Sequence, residues 1–344
     1  MFHHPSFDAH EMVVVANDEA SGLKAIVAVH NTVRGPSLGG VRVWTYPDDD
    51  AAITDALRLS KGMTYKAAMA DLPLGGGKAV VVVPERGAKT PAMFEALGRV
   101  IDRLSGSYIA AEDVGSDPAD MRAIARHTRH VTGLAPEDGG GGDPSPTTAF
   151  GCFVALKATA RAALGVDDLH GLHIAVQGLG NVGFALARHL NAAGARLTVS
   201  DIDPRRVAVA VAELGAASVP PDEIARVEAD ILSPNALGAV MNEASIPALR
   251  VKAVCGAANN QLATPADGEA LRARGILYAP DYVVNAGGVI AMCGEYFGWK
   301  DGGVTTRVNA IADRLAAIFE EARASGEPTN VVADREAERR FARG

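Results

Sequence analysis

One segment constrains the fold of this chain more than any other: Gly178-Leu179-Gly180-Asn181-Val182-Gly183. The strand-like run Ile174-Ala175-Val176 precedes it, and apolar residues at helical spacing (Val182, Ala185, Leu186, Leu190) follow. G-x-G-x-x-G alone is a weak pattern, and a βαβ unit can use glycines for packing only. Between a strand and a helix, however, each glycine has a mechanical purpose. The first permits a tight turn, the second lets a pyrophosphate approach the backbone, and the third lets helix and strand pack closely. The helix start then offers free N–H groups to phosphates. Beyond Gly171 the pattern repeats, with His173 to Gln177, Val182 to Ala193, Leu197 to Asp201 and Pro204 to Leu214 alternating as strand and helix. Such alternation predicts a parallel sheet covered by helices.

Asp201 closes the strand Leu197-Thr198-Val199-Ser200, about twenty residues past the fingerprint. A carboxylate there accepts hydrogen bonds from ribose hydroxyls and repels a 2′-phosphate, which favours NAD over NADP. Arg205 and Arg206 pull the other way, since nearby arginines can hold a 2′-phosphate.

The 344 residues predict two domains. Hydrophobic residues make up 48% and charged residues 22%, enough to bury a large core. A net charge of -8 argues against a nucleic-acid partner. Cys152, Cys255 and Cys293 have no metal-ligand spacing and suit reduced thiols in a cytoplasm. No apolar run approaches a membrane span. The N-terminus lacks the features of a signal peptide, and His3 and His4 read as part of an exposed, disordered end rather than a metal site.

The N-terminal part is patterned differently. Met12 to Ala16 and Leu23 to His30 read as a hairpin around the turn Asp18 to Gly22, with Val41 to Trp44 as a third strand. Asp48 to Ser60 and Pro91 to Leu104 read as helices, and Ala79 to Val83 as a buried strand. Asp138-Gly139-Gly140-Gly141-Gly142-Asp143-Pro144 is the clearest break, expected to be a flexible loop or hinge. A long helix from about Thr147 to Leu164 follows. Ile311 to Ala324 reads as another, and Asp334 to Arg340 as a final exposed one.

Chemistry is suggested by two lysines twelve residues apart. Lys66 falls on a helix, and Lys78 follows three glycines ahead of the buried strand. Two surface lysines would be the plain alternative. A lysine at the lip of an apolar strand, though, is easily desolvated. Desolvation and a neighbouring cation both lower its pKa, as a lysine general base requires. Asp113 stands in a turn after the strand Tyr108 to Ala111, and Leu38-Gly39-Gly40 stands before a strand. Asn260 and the segment Pro280 to Val289 follow β-like runs, where a doubly wound sheet lines its ligand crevice.

Together these motifs resemble the amino acid dehydrogenase family of the glutamate, leucine, phenylalanine and valine enzymes. The resemblance spans essentially the whole chain. Its carriers are Gly35 to Arg42, Met63 to Lys66, Leu72 to Lys78, Glu112 to Gly115, Gly178 to Gly183 and Pro280 to Gly288. It implies NAD-dependent oxidative deamination of an L-amino acid to a 2-oxo acid, ammonium and NADH. By similarity Lys66 holds the substrate α-carboxylate, Lys78 is the general base that activates water, and Asp113 exchanges protons with the amino group. Thr148 and Asn260 resemble positions near the nicotinamide and substrate. The fold expected is an N-terminal α/β substrate-binding and oligomerisation domain (1–140, joined by 326–344) and a Rossmann-like NAD-binding domain (141–325), flanking a cleft that closes to exclude water.

Similarity also places Leu38, Met63, Ala111, Val289 and Met292 around the substrate side chain, with Gly39 and Gly40 beside it. The glutamate enzymes carry a lysine where this chain has Leu38. Burying a substrate carboxylate against Leu38 would cost several kcal/mol, so a branched aliphatic side chain is expected. Leucine, isoleucine and valine differ by methylenes worth only ~1–3 kcal/mol and stay unranked. The alternatives are a phenylalanine dehydrogenase and an inactive dinucleotide-binding sensor. A 2-hydroxy acid dehydrogenase would need a histidine acid–base motif that is absent. A homo-oligomer, dimer to octamer, is implied.

Overall fold

In the computed structural model, which describes residues 1–85, 87–300 and 302–342, the N-terminal hairpin forms as expected. β1 (Met12–Asp18) pairs antiparallel with β2 (Leu23–Asn31), Val13 facing Ala28. The next strand is longer than its pattern predicts: β3 is Ser37–Trp44, so Leu38, Gly39 and Gly40 lie inside it rather than before it. Likewise β4 is Gly75–Val82, which places Lys78 within the strand. Glycine hides both strand starts from a propensity reading, yet it is sterically required there. A Cβ at Gly39 would sit 1.7 Å from the Gly77 oxygen, and one at Gly76 would sit 2.0 Å from the Thr64 nitrogen. With β5 (Tyr108–Glu112) the strands form a mixed sheet ordered β1-β2-β4-β3-β5.

Strand alternation divides this sheet into two faces. Val27, Val41, Val43, Ala79, Val81, Tyr108 and Ala110 pack with Phe94, Leu97 and Ile101 of α2 (Pro91–Arg103) and with Met121 of α3 (Pro118–Ala125). Ile26, Ala28 and Val80 pack with Ala52, Ala56 and Leu57 of the first helix, α1 (Asp49–Met69). That helix runs nine residues past the expected Ser60, to Met69. Asp48 caps its start by accepting from the Ala51 N–H at 2.8 Å.

α4 (Ser145–Leu164) opens the second unit, and all its strands are parallel: β6 (His173–Gln177), β7 (Arg196–Ser200), β8 (Ala217–Ser218), β9 (Ile231–Pro234), β10 (Ala253–Val254) and β11 (Leu277–Tyr278). The spatial order β11-β10-β9-β6-β7-β8 is the doubly wound arrangement, reversing direction between β6 and β9. The helices are α5 (Asn181–Ala192), α6 (Pro204–Leu214), α7 (Ala266–Ala273), α8 (Asp281–Val284), α9 (Gly287–Phe297), α10 (Gly303–Asn309), α11 (Ile311–Ser325) and α12 (Thr329–Phe341).

The two compact units are Met1–Pro144 with Ala291–Asp301 and Ala337–Gly344, and Ser145–Ile290 with Gly302–Glu336. These limits differ from the expected ones. Residues 291–301 join the first unit because Glu295 binds it. Its carboxylate accepts from the N–H groups of Gly133 (2.9 Å), Leu134 (3.3 Å) and Gly141 (3.0 Å). The glycine run is therefore tied down, not free. Residues 326–336 stay with the second unit, where Thr329 donates to the Tyr278 carbonyl and Arg335 grips Glu327. The last helix is not simply exposed either: Val332, Ala333 and Ala337 are buried. At the N-terminus Met1 to His3 are exposed, as expected, and the half-buried His4 ring lies 3.3 Å from Asp50. Among the described residues no helix is long and apolar enough to cross a membrane, and no cluster of three or more His, Cys, Asp or Glu could hold a metal ion.

Candidate functional site

The first unit gathers its chemistry on the α1 face of the sheet. Residues alternate along a strand, so Val81 and Ala79 face α2 while Lys78 and Val80 face α1. The same parity puts Leu38, Gly40 and Arg42 of β3, and Ala111 of β5, on that face. The parallel register brings them level: Leu38 opposes Gly76, and Gly40 opposes Ala111. Glycine at 40 is needed because a Cβ there would stand 2.5 Å from the Asp113 Cβ. The resulting gap admits Asp113 from the turn after β5. That turn is held by Ser116, whose Oγ accepts from the Asp113 N–H at 2.9 Å.

Lys78 is 5% exposed and donates from Nζ to Asp113 Oδ2. Arg42 Nε reaches the same oxygen at 3.2 Å. Burial works against the Asp113 carboxylate, but Lys78 and Arg42 outweigh it and hold the pKa down at about 2. Burial pushes the Lys78 ammonium below its ordinary range, and Arg42 adds to this while Asp113 opposes it. A carboxylate held ionised beside an ammonium that sheds its proton easily is a device for moving protons to and from a substrate. Tyr108, fully buried, donates to the Gly39 carbonyl at 2.6 Å and so braces β3 from its other face.

Lys66 is half-buried in the last turn of α1. It follows Thr64, whose backbone packs against Gly76 two residues before Lys78. Met63, one turn earlier, is half-buried too, while Leu38 and Ala111 are each 1% exposed. Met292, on α9, accepts at its carbonyl from Thr132 at 3.2 Å. Sequence reading brought in Arg42 only as part of a motif and missed Asp55, Tyr46 and Glu295. An arginine two residues from Gly40, in an otherwise apolar strand, was the available signal.

In the second unit the three fingerprint glycines differ in a way that separates packing from binding. Gly178 has φ +93°, a conformation suited to glycine, and its Cβ would meet Ala236 at 2.9 Å. A Cβ at Gly183 would fall 2.1 Å from the Gly178 oxygen. Both are demanded by the fold itself. At Gly180 a Cβ would meet nothing nearer than Arg206 Nη1 at 3.9 Å. The space it leaves serves no internal contact. Gly180 also caps α5 without a side-chain hydrogen bond, leaving helix N–H groups available. A cavity of about 590 Å³ opens here, lined by Leu179, Gly180, Asn181, Asp203, Arg205 and Arg206. Val182 follows, half-buried on α5. These features fit the pyrophosphate of a dinucleotide.

Asp201 follows β7, its side chain 6% exposed. It accepts from the Leu179 N–H at 2.6 Å and the Asp203 N–H at 2.8 Å, so it also braces the turn. Arg205 is engaged by Asp203 through two bonds, 3.1 and 2.9 Å. Thr148 lies in the first turn of α4, where Gly287 lets α9 approach; Val289 lies just beyond, buried. Asn260 is exposed, with φ +52°.

Two family models match the chain. Residues 6–130 match the Glu/Leu/Phe/Val dehydrogenase dimerisation domain, and residues 206–334 match Glutamate/Leucine/Phenylalanine/Valine dehydrogenase. Leucine dehydrogenase of Bacillus cereus is 50% identical over 333 residues, covering 97% of this chain and 91% of that protein. Leucine dehydrogenase of Geobacillus stearothermophilus is 48% identical over 332 residues, covering 96% and 90%. The crystal structure of L-tryptophan dehydrogenase from Nostoc punctiforme superposes with a TM-score of 0.85 at 41% identity, covering 97% of this chain and 96% of the other. With matched models at both ends and half its residues shared across nearly its whole length, this chain belongs to the Glu/Leu/Phe/Val dehydrogenase family.

Proposed function

We propose that this protein is an NAD-dependent L-amino acid dehydrogenase that converts leucine, valine or isoleucine, with water, to the 2-oxo acid, ammonium and NADH. The observation that carries this reading is the buried Lys78–Asp113 pair beside Gly39 and Gly40 of β3. A dinucleotide held at Gly178 to Gly183 and Asp201 would supply a hydride acceptor for the substrate α-carbon, the oxidation that turns an amine into an imine. The chain's own residues do the rest. Lys66 holds the α-carboxylate by charge. Asp113, kept ionised, takes a proton from the substrate ammonium. Lys78, its proton loosened by burial, takes one from the water that attacks the imine carbon. Asp113 then returns a proton to the departing amine and takes up the hydroxyl proton of the tetrahedral intermediate as the carbonyl forms. Thr148 and Asn260 orient the nicotinamide and the substrate.

An apolar side chain suits Leu38 and Ala111, which are buried and offer no charge to a second carboxylate. The leucine dehydrogenases at 48–50% identity support an aliphatic substrate. Asp201, together with an Arg205 already occupied by Asp203, supports NAD over NADP. Residues 6–130, matched by a dimerisation-domain model, support a homo-oligomer. Cys152, Cys255 and Cys293 are all buried, which suits a reducing cytoplasm. The test is kcat/KM with NAD on leucine, valine, isoleucine, phenylalanine, tryptophan and glutamate. The aliphatic substrates should lead by tenfold or more, and a preference for phenylalanine or tryptophan would overturn the pocket assignment.

A further inference from the structure

Behind the lysine–aspartate pair runs a row of alternating charge. Asp113 Oδ2 takes Lys78 on one side and Arg42 Nε on the other. Arg42 Nη1 continues to Asp55, at 3.3 Å to Oδ1 and 3.0 Å to Oδ2, and the Tyr46 hydroxyl donates to Asp55 Oδ2 at 2.5 Å. All four charged side chains are largely shielded, with Arg42 24%, Asp55 27%, Asp113 22% and Lys78 6% exposed. The row comes from four separate parts of the fold: α1 supplies Asp55, β3 and its following loop supply Arg42 and Tyr46, β4 supplies Lys78, and the turn after β5 supplies Asp113.

We infer that Arg42, aimed by Asp55, is a positioning residue for the reaction: it holds the Asp113 carboxylate in place and charge-balanced during the interval when Lys78 is neutral. The inference rests on the reading of Lys78 as the general base. With Lys78 protonated the row carries two cations and two anions. To act as a base, Lys78 must lose its proton, and Asp113 then loses its nearest counter-charge. An unpaired carboxylate in that setting would draw a proton back or swing away. Arg42 prevents both, because a guanidinium does not deprotonate and its planar fork serves two carboxylates at once. The charged groups facing Asp113 are Lys78 and Arg42; Tyr108 of β5 packs on the other face of the sheet, and Asp55 and Tyr46 act through Arg42.

The charges on either side of the row act on Lys78 with opposite sign. The Arg42 cation makes its proton easier to lose, and the Asp55 anion makes it harder. The experiment is the pH profile of kcat/KM on leucine for the full-length wild type, Arg42→Gln, Arg42→Lys and Asp55→Asn, with Lys78→Ala alongside. The acid limb reports deprotonation of the base. It should move to higher pH by about one unit in Arg42→Gln and to lower pH in Asp55→Asn. Arg42→Lys should restore the limb while recovering only part of the rate. A purely structural role cannot produce shifts of opposite sign. Limbs that stay fixed, or move together, overturn the inference while an inactive Lys78→Ala leaves the base assignment standing. Undiminished turnover in Lys78→Ala overturns the base assignment itself, and this inference with it. Asp55→Asn is isosteric and keeps the measurement available if Arg42→Gln folds poorly.

Discussion

Gly180→Ala and Gly183→Ala are the same chemical change three residues apart, yet they should fail in different ways. At position 183 the new Cβ would lie 2.1 Å from the Gly178 oxygen and 3.2 Å from the Asn235 Cβ. Backbone must move, and such overpacking costs about 1–3 kcal/mol. At position 180 the backbone has φ −66°, open to any residue, and the nearest atom stands 3.9 Å away. Alanine there is a poorer helix cap than glycine but restricts the unfolded chain, and the two effects nearly cancel, within about 0.5 kcal/mol. The gap of about 2 kcal/mol corresponds to about 4–8 °C in Tm. Cofactor affinity should rank the other way among folded protein, because the Gly180→Ala methyl would enter the space proposed for the pyrophosphate. NADH should bind it at least tenfold more weakly, ~1.4 kcal/mol. Thermal melts with and without NADH, and titration of NADH fluorescence, measure both quantities. A Gly180→Ala protein that binds NADH like the wild type would refute the reading of that empty space.

Three other outcomes are expected. Asp113 has a folded pKa of about 2 against an ordinary 3.8, so its ionised form stabilises the fold above pH ~3.8 and that contribution is lost as pH falls through ~2. The difference amounts to about 2.5 kcal/mol. Asp113→Asn should lack this part of the acid transition, read through Trp44 and Trp299, both in the first unit. Gly40→Ala should displace Asp113, whose Cβ lies 2.5 Å from the added methyl, lowering kcat at least a hundredfold while NADH binding by the second unit stays unchanged. Glu295→Ala should release the three N–H groups it binds and open the glycine run to limited proteolysis between Gly139 and Gly142, which the wild type resists.

The legible parts of this chain were those with a repeating pattern. The alternation around Gly178 to Gly183 and the hairpin at Asp18 to Gly22 carry their periods in the sequence, and both elements appear where the pattern puts them. Strands β3 and β4 were read short because Gly39, Gly40 and Gly75 to Gly77 carry no propensity. Their need arises only when Thr64, Tyr108 and Asp113 arrive from elsewhere. The charged row was invisible for the same reason. Arg42 and Asp55 stand thirteen residues apart on a strand and a helix, and only the folded sheet brings them within 3.0 Å. Glu295 contacts Gly133 across 162 residues, so the expected free loop at the glycine run became a tethered one.

The role proposed for Lys78, a base on substrate rather than a structural cation, is open to a direct test. The most direct measurement compares Lys78→Ala with wild type, following NADH formation from leucine and NADH binding in parallel. NADH affinity should stay within about twofold of wild type, since the fingerprint lies in the other unit, while turnover falls at least a thousandfold. Turnover near the wild-type rate with intact NADH binding would contradict it and leave Lys78 as no more than the partner of Asp113.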